Sequence, residues 1–445
     1  MSDSPNPLEA LRTLLRFDTT NPPGNEEPAI AQVGEWLTAA GVAFTVLRSD
    51  GRPNLVARIA GDGTGGGPLL LSGHVDVVPV ERAMWTQDPF AAAVVDGYLY
   101  GRGTIDMKYM VVHCITAFLD VARSGKVPSR DLILAVVSDE EEGCEHGSRF
   151  LVEQHADDVR ADYMLGEFGG FSLDVKGKRY YPIQVAEKGA CQFRLTAHGD
   201  PGHGSVPHNN NAVVKLAQAI AKLGTTRLPA HLHPTVSVFL KEMARHQKAP
   251  DKWVLPLLKN PALAGPILKR VIPDKSIAAS MAANLSNTVS PTGLSAGAKL
   301  NVIPGKASAL LDGRLIPGET QESFLAEIRE VIGEGFDIEV LTSFEGRANT
   351  AVMGDPLFEA ICDNVRKHDA SGIPLPYMLT GFTDAQNFGK LGAQCFGYAP
   401  VQFPAEDEVK FNTLVHGHDE RIHVAGFEWG NRAFRELVTG FLGVG

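Results

Sequence analysis

Six consecutive apolar residues, Leu132 to Val137, run straight into Ser-Asp-Glu-Glu-Glu-Gly at 138 to 143, and few folds accommodate that junction. A run so short and so apolar reads as a strand buried on both faces, the kind found in parallel sheets covered by helices. Its carboxyl end then delivers four acidic side chains to one place. Carboxylates crowded at the end of a core strand repel one another, so a purely structural role is costly without cations. A solvated loop is the competing explanation, but α/β sheets put their sites at the carboxyl ends of strands.

The same pattern recurs along the chain. Leu69 to Leu71 lead into Ser-Gly-His74-Val-Asp76, and Tyr163 to Leu165 lead to Glu167. In extended backbone His74 and Asp76 project to one side, where Asp76 could hold the second ring nitrogen of a ligating His74. A strand-end His and Asp can equally cap a loop. Asp106 opens a predicted buried helix over 109–123; it could cap that helix or bridge two metals with both oxygens. His416, in Val-His-Gly-His-Asp-Glu-Arg, again follows an apolar stretch. Two His and several carboxylates, each at a strand end, suit a dinuclear site for zinc, with cobalt or manganese as alternatives. Of two adjacent acids, one can bind metal while the other takes a proton from activated water. His113 reads as a packed or surface helix residue, His231 and His233 as surface residues on one strand, and His418 and His423 as neighbours of His416 or solvated loop residues.

At 445 residues the chain exceeds one ordinary core, so two domains are expected. Strand and helix alternate up to about Leu165, and the texture then changes. Cys191, Phe193, Leu195 and Ala197 alternate with Gln192, Arg194, Thr196 and His198, as in a half-exposed antiparallel strand. A helix follows around Val213 to Ile220, then a strand over 235–240 and further strands near Leu300 and Leu310. A helix capped by Thr320 and a strand over 338–341 complete this part. From Leu357 the α/β alternation resumes. The expected fold is therefore α/β, with a mixed-sheet catalytic domain (1–186 and 344–445) interrupted by an α+β open-faced sandwich lid (187–343). Residues 241–287 have weak periodicity and no assigned role.

The net charge of −11 argues against nucleic acid or an anionic membrane as a partner. The amino terminus lacks the pattern of a secretory signal, and no stretch approaches the roughly 20 apolar residues of a membrane span. Five scattered cysteines, with no close pair, suit reduced thiols. A cytoplasmic location is expected.

These segments resemble the metallopeptidase family of glutamate carboxypeptidase, acetylornithine deacetylase, succinyl-diaminopimelate desuccinylase and aminoacylase-1, in motif order and spacing over nearly the whole chain. The resemblance implies that His74 and Glu167 hold one metal, that Glu141 and His416 hold the other, and that Asp106 bridges them. It implies Asp76 as the group orienting His74, Glu140 as general base, and a cis peptide after Asp106. Gly-Asp-Pro-Gly-His-Gly-Ser-Val-Pro at 199–207 is similar to the lid motif whose His stabilises an oxyanion, which assigns His203. Lys-Leu-Asn-Val-Ile-Pro-Gly and Asp-Gly-Arg-Leu-Ile-Pro-Gly assign Asn301 and Arg314 to a substrate carboxylate; a salt bridge to Asp312 is the plainer role for Arg314. Gly381 and Phe382 stand where relatives have Gly-Gly, so Phe382 would reshape the pocket. The family also implies a homodimer through the lid, with His203 serving its own or the partner's site.

The expected reaction is hydrolysis of an amide next to a free carboxylate, in a small peptide or N-acyl amino acid, with Glu140 taking a proton from water shared by two metals. A dipeptidase or aminopeptidase is the alternative; that branch tends to carry Asp where this chain has Glu167. An inactive metal-binding protein is a third reading, which the full ligand set argues against. The acyl group and side-chain preference are not encoded in any recognisable motif.

Overall fold

The computed structural model describes residues 5–270, 275–350, 352–405 and 411–445. It divides into two compact units: residues 1–185, 349–377 and 383–445 form the first, and residues 186–348 with 378–382 the second. The crossings fall at 185/186 and 348/349, and the short segment carrying Gly381 and Phe382 groups with the second unit.

The sheet of unit 1 is built around four parallel strands in the spatial order Leu132–Val137, Leu69–His74, Tyr163–Gly166 and Gln394–Gly397. Antiparallel strands extend it: Arg52–Ile59 and then Phe44–Ser49 on one side, Lys178–Glu187 on the other. Alternate side chains enter two different cores. Leu69, Leu71, Leu132, Leu134 and Val136 pack with the helices Lys108–Arg123 and Val424–Phe441. Leu70, Ile133, Ala135 and Val137 pack on the other face with the helix Ser148–Gln154 and the turn around Phe388. Burial on both faces explains why these strands read as unbroken apolar runs, and each such Leu, Ile or Val contributes about 1.5–3 kcal/mol. Parallel strands all end on one edge, and His74, Glu140 and Glu167 follow directly from three of them.

Unit 2 contains a four-stranded antiparallel sheet in the order Thr288–Ala296, Lys306–Leu315, Gly189–His198 and Phe336–Phe344. One face packs on the helices Ala212–Thr225 and Gln321–Ile332 through Phe193, Leu195, Leu216, Leu311, Phe324 and Ile328. Thr320 caps the second helix through Ser323. The other face carries Arg194, Asp312 and Arg314.

Residues 234–283 depart from expectation. The predicted strand over 235–240 is part of the helix Pro234–His246. His233 accepts from the Thr235 amide as its cap and Pro234 fills the first position, while Val236, Leu240, Met243 and Ala244 are buried at helical spacing. The helix Pro261–Arg270 joins it in a separate apolar cluster with Ala186, Ile316 and Met378. His231 consequently shares no strand with His233; its Nδ1 lies 3.0 Å from Glu319 Oε1 and its Nε2 contacts Glu327. Leu300, near a predicted strand, stands fully exposed in the turn before the strand Val302–Ile303. All five cysteines are free and buried.

Candidate active site

Three strand ends and two loops of unit 1 bring the expected ligands together. His74 Nε2 lies 3.2 Å from Asp106 Oδ1 and 3.6 Å from Glu167 Oε2. The other Asp106 oxygen, Oδ2, lies 3.1 Å from His416 Nε2, which is also 3.1 Å from Glu141 Oε2. The two trios, His74–Asp106–Glu167 and Asp106–Glu141–His416, share only Asp106, one oxygen turned to each. Asp106 does not cap its helix: that cap position is Met107, and the Asp106–Met107 peptide is cis.

The electrostatics suit cations. Burial and the charge of Asp106, opposed by His74, push the Glu167 carboxyl to about 8, and burial beside Asp106 pushes Glu141 to about 7. Hydrogen bonding to Asp106 and Glu141 raises the His416 imidazole to about 10, and surrounding carboxylates hold His74 well above its usual range. Such a cluster binds extra protons unless divalent ions replace them. His74 Nε2, Glu141 Oε1 and Glu167 Oε2 are buried without a hydrogen bond among the described residues. Buried polar atoms are rarely left so, and His74 Nε2 and Glu167 Oε2 face each other within the cluster; the donor set fits two divalent cations.

Glu140 Oε2 reaches within 3.7 Å of His74 Nε2, and burial with the Glu167 charge raises its carboxyl well above the usual range. Asp76 has more contacts than its spacing with His74 suggested. The His74 Nδ1 lies 3.1 Å from the Asp76 main-chain oxygen and 3.4 Å from its carboxylate. That carboxylate accepts from the amides of Glu140 (3.2 Å) and Glu141 (3.1 Å) and from Asn21 Nδ2 (2.9 Å). Asp76 thus fixes the backbone of Glu140 and Glu141 on the neighbouring strand end as well as contacting His74.

Asn21 went unnoticed in the sequence. It also donates to Asp139 (3.0 Å), which Arg52 holds at 3.1 Å in a buried group with Glu26. No spacing rule links Asn21 to positions 76 and 139. Asp384, three residues after Gly381, is buried and pushed up to about 6, chiefly by burial. Its Gly-Phe-Thr-Asp setting was the available signal. His113 is a core residue, stacked on Phe427 and bonded to the Pro400 carbonyl. His423 caps the final helix, and His418 is exposed.

The remaining predicted residues all lie in unit 2, in two groups. Pairing of Gly202–His203 with Val302–Ile303 sets His203 beside Asn301, both exposed, with His203 Nδ1 2.7 Å from Ser205 Oγ. Arg314 sits at the other end of the sheet. Its Nε donates to Asp312 at 2.9 Å, Asp312 is held in turn by Gln192, and its guanidinium lies 5.1 Å over the Phe382 ring. Phe382 meets Phe344 edge-on at 5.0 Å. The salt bridge to Asp312 and a half-buried fork with free Nη groups coexist: the two Nη groups of Arg314 carry no hydrogen bond among the described residues. The register pairs His198 with Lys306 and Ala190 with Arg314, so the two groups are separated by the strand's length, on the order of 25 Å at about 3.3 Å per residue.

Known proteins resemble this chain in sequence and fold. The sequence model of Peptidase family M20/M25/M40 matches residues 70–440. The N-fatty-acyl-amino acid synthase/hydrolase PM20D1 of Xenopus tropicalis is 29% identical over 384 residues, covering 83% of this chain and 72% of that protein. Aminoacylase-1B of Rattus norvegicus is 25% identical, covering 97% of this chain and 94% of the relative. Among solved structures, the M20 family metallo-carboxypeptidase Sso-CP2 from Sulfolobus solfataricus has the same fold, with a TM-score of 0.73, 19% identity and 99% of each chain covered. The chain belongs to the M20 peptidase family, metallopeptidases and amidohydrolases that act on amide bonds.

Proposed function

We propose that this protein hydrolyses the amide bond of N-acyl amino acids, recognising the free carboxylate of the amino acid. The observation that carries this reading is Arg314. Its guanidinium is fixed at Nε by Asp312 and on one face by Phe382, so the Nη edge is presented as a rigid two-pronged donor, the geometry a carboxylate accepts. The names of PM20D1 and aminoacylase-1B favour an acyl amino acid over a free dipeptide.

His74 and Glu167 would hold one divalent ion, Glu141 and His416 the other, and Asp106 both, with zinc the ion this donor set favours. When bound, the ions supply Lewis acidity and lower the pKa of water towards neutrality. Glu140 takes the proton from the attacking water and delivers it to the leaving amine. His203 donates to the oxyanion as the carbonyl becomes tetrahedral, Arg314 and the Gly381–Phe382 turn keep the carboxylate in place, and Asn301 assists from the same chain as His203.

Arg314 and His203, at one end of the four-stranded sheet and beyond the other, lie too far apart to reach the same small substrate. The reading therefore includes a homodimer through unit 2, in which each His203 serves the partner's site.

The test is hydrolysis of N-acyl amino acids of increasing chain length, their carboxamide analogues and free dipeptides, with zinc, cobalt or manganese restored to stripped protein. Acyl amino acids should be cleaved and the carboxamides hardly at all. Arg314→Ala should raise KM about 10- to 100-fold for the acids, as loss of a charged bidentate contact does, and leave the carboxamides unchanged. Cleavage of dipeptides alone, or equal effects on acids and carboxamides, would overturn the assignment.

A further inference from the structure

Glu420 lies four residues after His416 and is wholly buried. Its carboxylate is wrapped by the loop that carries Asp106. Oε1 accepts from the amides of Ile105 (2.6 Å), Gly103 (3.1 Å) and Asp106 itself (3.2 Å), while Oε2 accepts from Arg102 Nη1 at 2.7 Å. The Gly101 amide donates back to the Glu420 carbonyl at 3.0 Å, and the strands Arg421–His423 and Tyr98–Tyr100 pair beside it. Arg102, 2% exposed, stacks at 5.2 Å on Trp85. One side chain thus collects three amides and a buried cation from a loop more than 300 residues away in sequence.

Only Asp106 and His416 of the five expected ligands sit on loops without a preceding core strand of the parallel set to place them. Resting on the metal-centre reading above, we infer that Glu420 is a positioning residue that sets the spacing of Asp106 and His416, and so governs affinity for the ion that Asp106, Glu141 and His416 would share. The ion of His74 and Glu167 depends on it less, because two core strands place those ligands. Glu420→Gln keeps one acceptor but turns an N–H towards the loop amides and leaves Arg102 buried without its partner. Glu420→Asp keeps the charge and withdraws it by one methylene.

The experiment is stepwise zinc titration of the metal-stripped full-length variants against a chromophoric chelator, without substrate. His416→Ala identifies the step that belongs to the second ion. Glu420→Gln and Glu420→Asp should weaken that step about 10- to 100-fold, the usual cost of removing a group that orients a ligand, and change the other step by less than about threefold. Equal weakening of both steps would mean a general structural role and overturn the inference; so would two unchanged steps. Should Glu420→Gln not fold, Glu420→Asp decides alone.

Discussion

Unit 1 gathers His74, Asp106, Glu141, Glu167 and His416 into one cluster, whereas unit 2 holds Arg314 at one end of its four-stranded sheet and His203 on a short strand pair that follows from the other end. The contrast follows from strand direction. Parallel strands share a carboxyl edge, so residues distant in sequence converge there with short loops. An antiparallel sheet alternates its ends, so groups following one strand and ending another are separated by the sheet's full length. Exposure differs in the same sense for all but one of the cluster residues: His74, Asp106 and Glu167 are buried and Glu141 nearly so, while His203 and Asn301 are exposed, as is His416. The metal-ligand cluster is assembled within one unit of one chain, whereas under the proposed dimer the recognition groups of unit 2 are supplied by two copies.

Stripping the metals attacks the converged half and should have the largest effect: activity is lost, and stability becomes more dependent on pH. Glu141, Glu167 and His416 all bind protons more tightly folded than unfolded, with values of about 7, 8 and 10. Stability from the two carboxyls is present below their ordinary range and is lost as pH rises through 7 to 8; that from His416 is lost on passing about 10. Melting temperatures of stripped and zinc-loaded protein should therefore diverge steadily from pH 5 to 9. A constant gap would show that these groups do not titrate as the cluster requires. Glu140→Gln comes next, with kcat reduced roughly 1,000-fold or more while metal content stays at the wild-type level. Turnover within tenfold of wild type would remove Glu140 from the base role.

His203→Ala tests the dispersed half. Loss of one oxyanion donor should lower kcat about 100- to 1,000-fold. The sharper measurement mixes this variant with Glu140→Gln under conditions that exchange subunits. If His203 serves the partner's site, a mixed dimer has one site with both groups intact, and the mixture recovers about a quarter of wild-type activity at statistical exchange. If it serves its own site, every site lacks one group and nothing is recovered.

The same contrast decides what could be read from the sequence. Strands buried on both faces leave unbroken apolar runs, so Leu69–His74, Leu132–Val137 and the acids that follow them were plain. The segment Thr235–Leu240 was misread because its apolar residues satisfy both periods over so short a window; the cap from His233 and the buried Met243 and Ala244 beyond it decide for helix. Asn21 and Glu420 were invisible for another reason. Their work consists of hydrogen bonds to backbone and carboxylates 55 to more than 300 residues away, and no local pattern records such a partner. The distance between His203 and Arg314 likewise exists only once strand register is known.

Phe382 offers the finest test, because it bears on recognition without touching the metal cluster. Its ring supports one face of the Arg314 guanidinium, and Phe344 supports the ring. A cation–π contact at a part-exposed site is worth about 0.5–1 kcal/mol, so Phe382→Gly, which removes the ring, should raise KM roughly two- to fivefold and leave kcat and metal content alone. Phe382→Tyr keeps the ring face and should behave as wild type. Without the ring, Arg314 remains anchored at Nε by Asp312, so the carboxylate is still bound but less well aligned. A fall in kcat instead, or equal loss in the Tyr variant, would mean that Phe382 contacts the substrate directly rather than acting through Arg314.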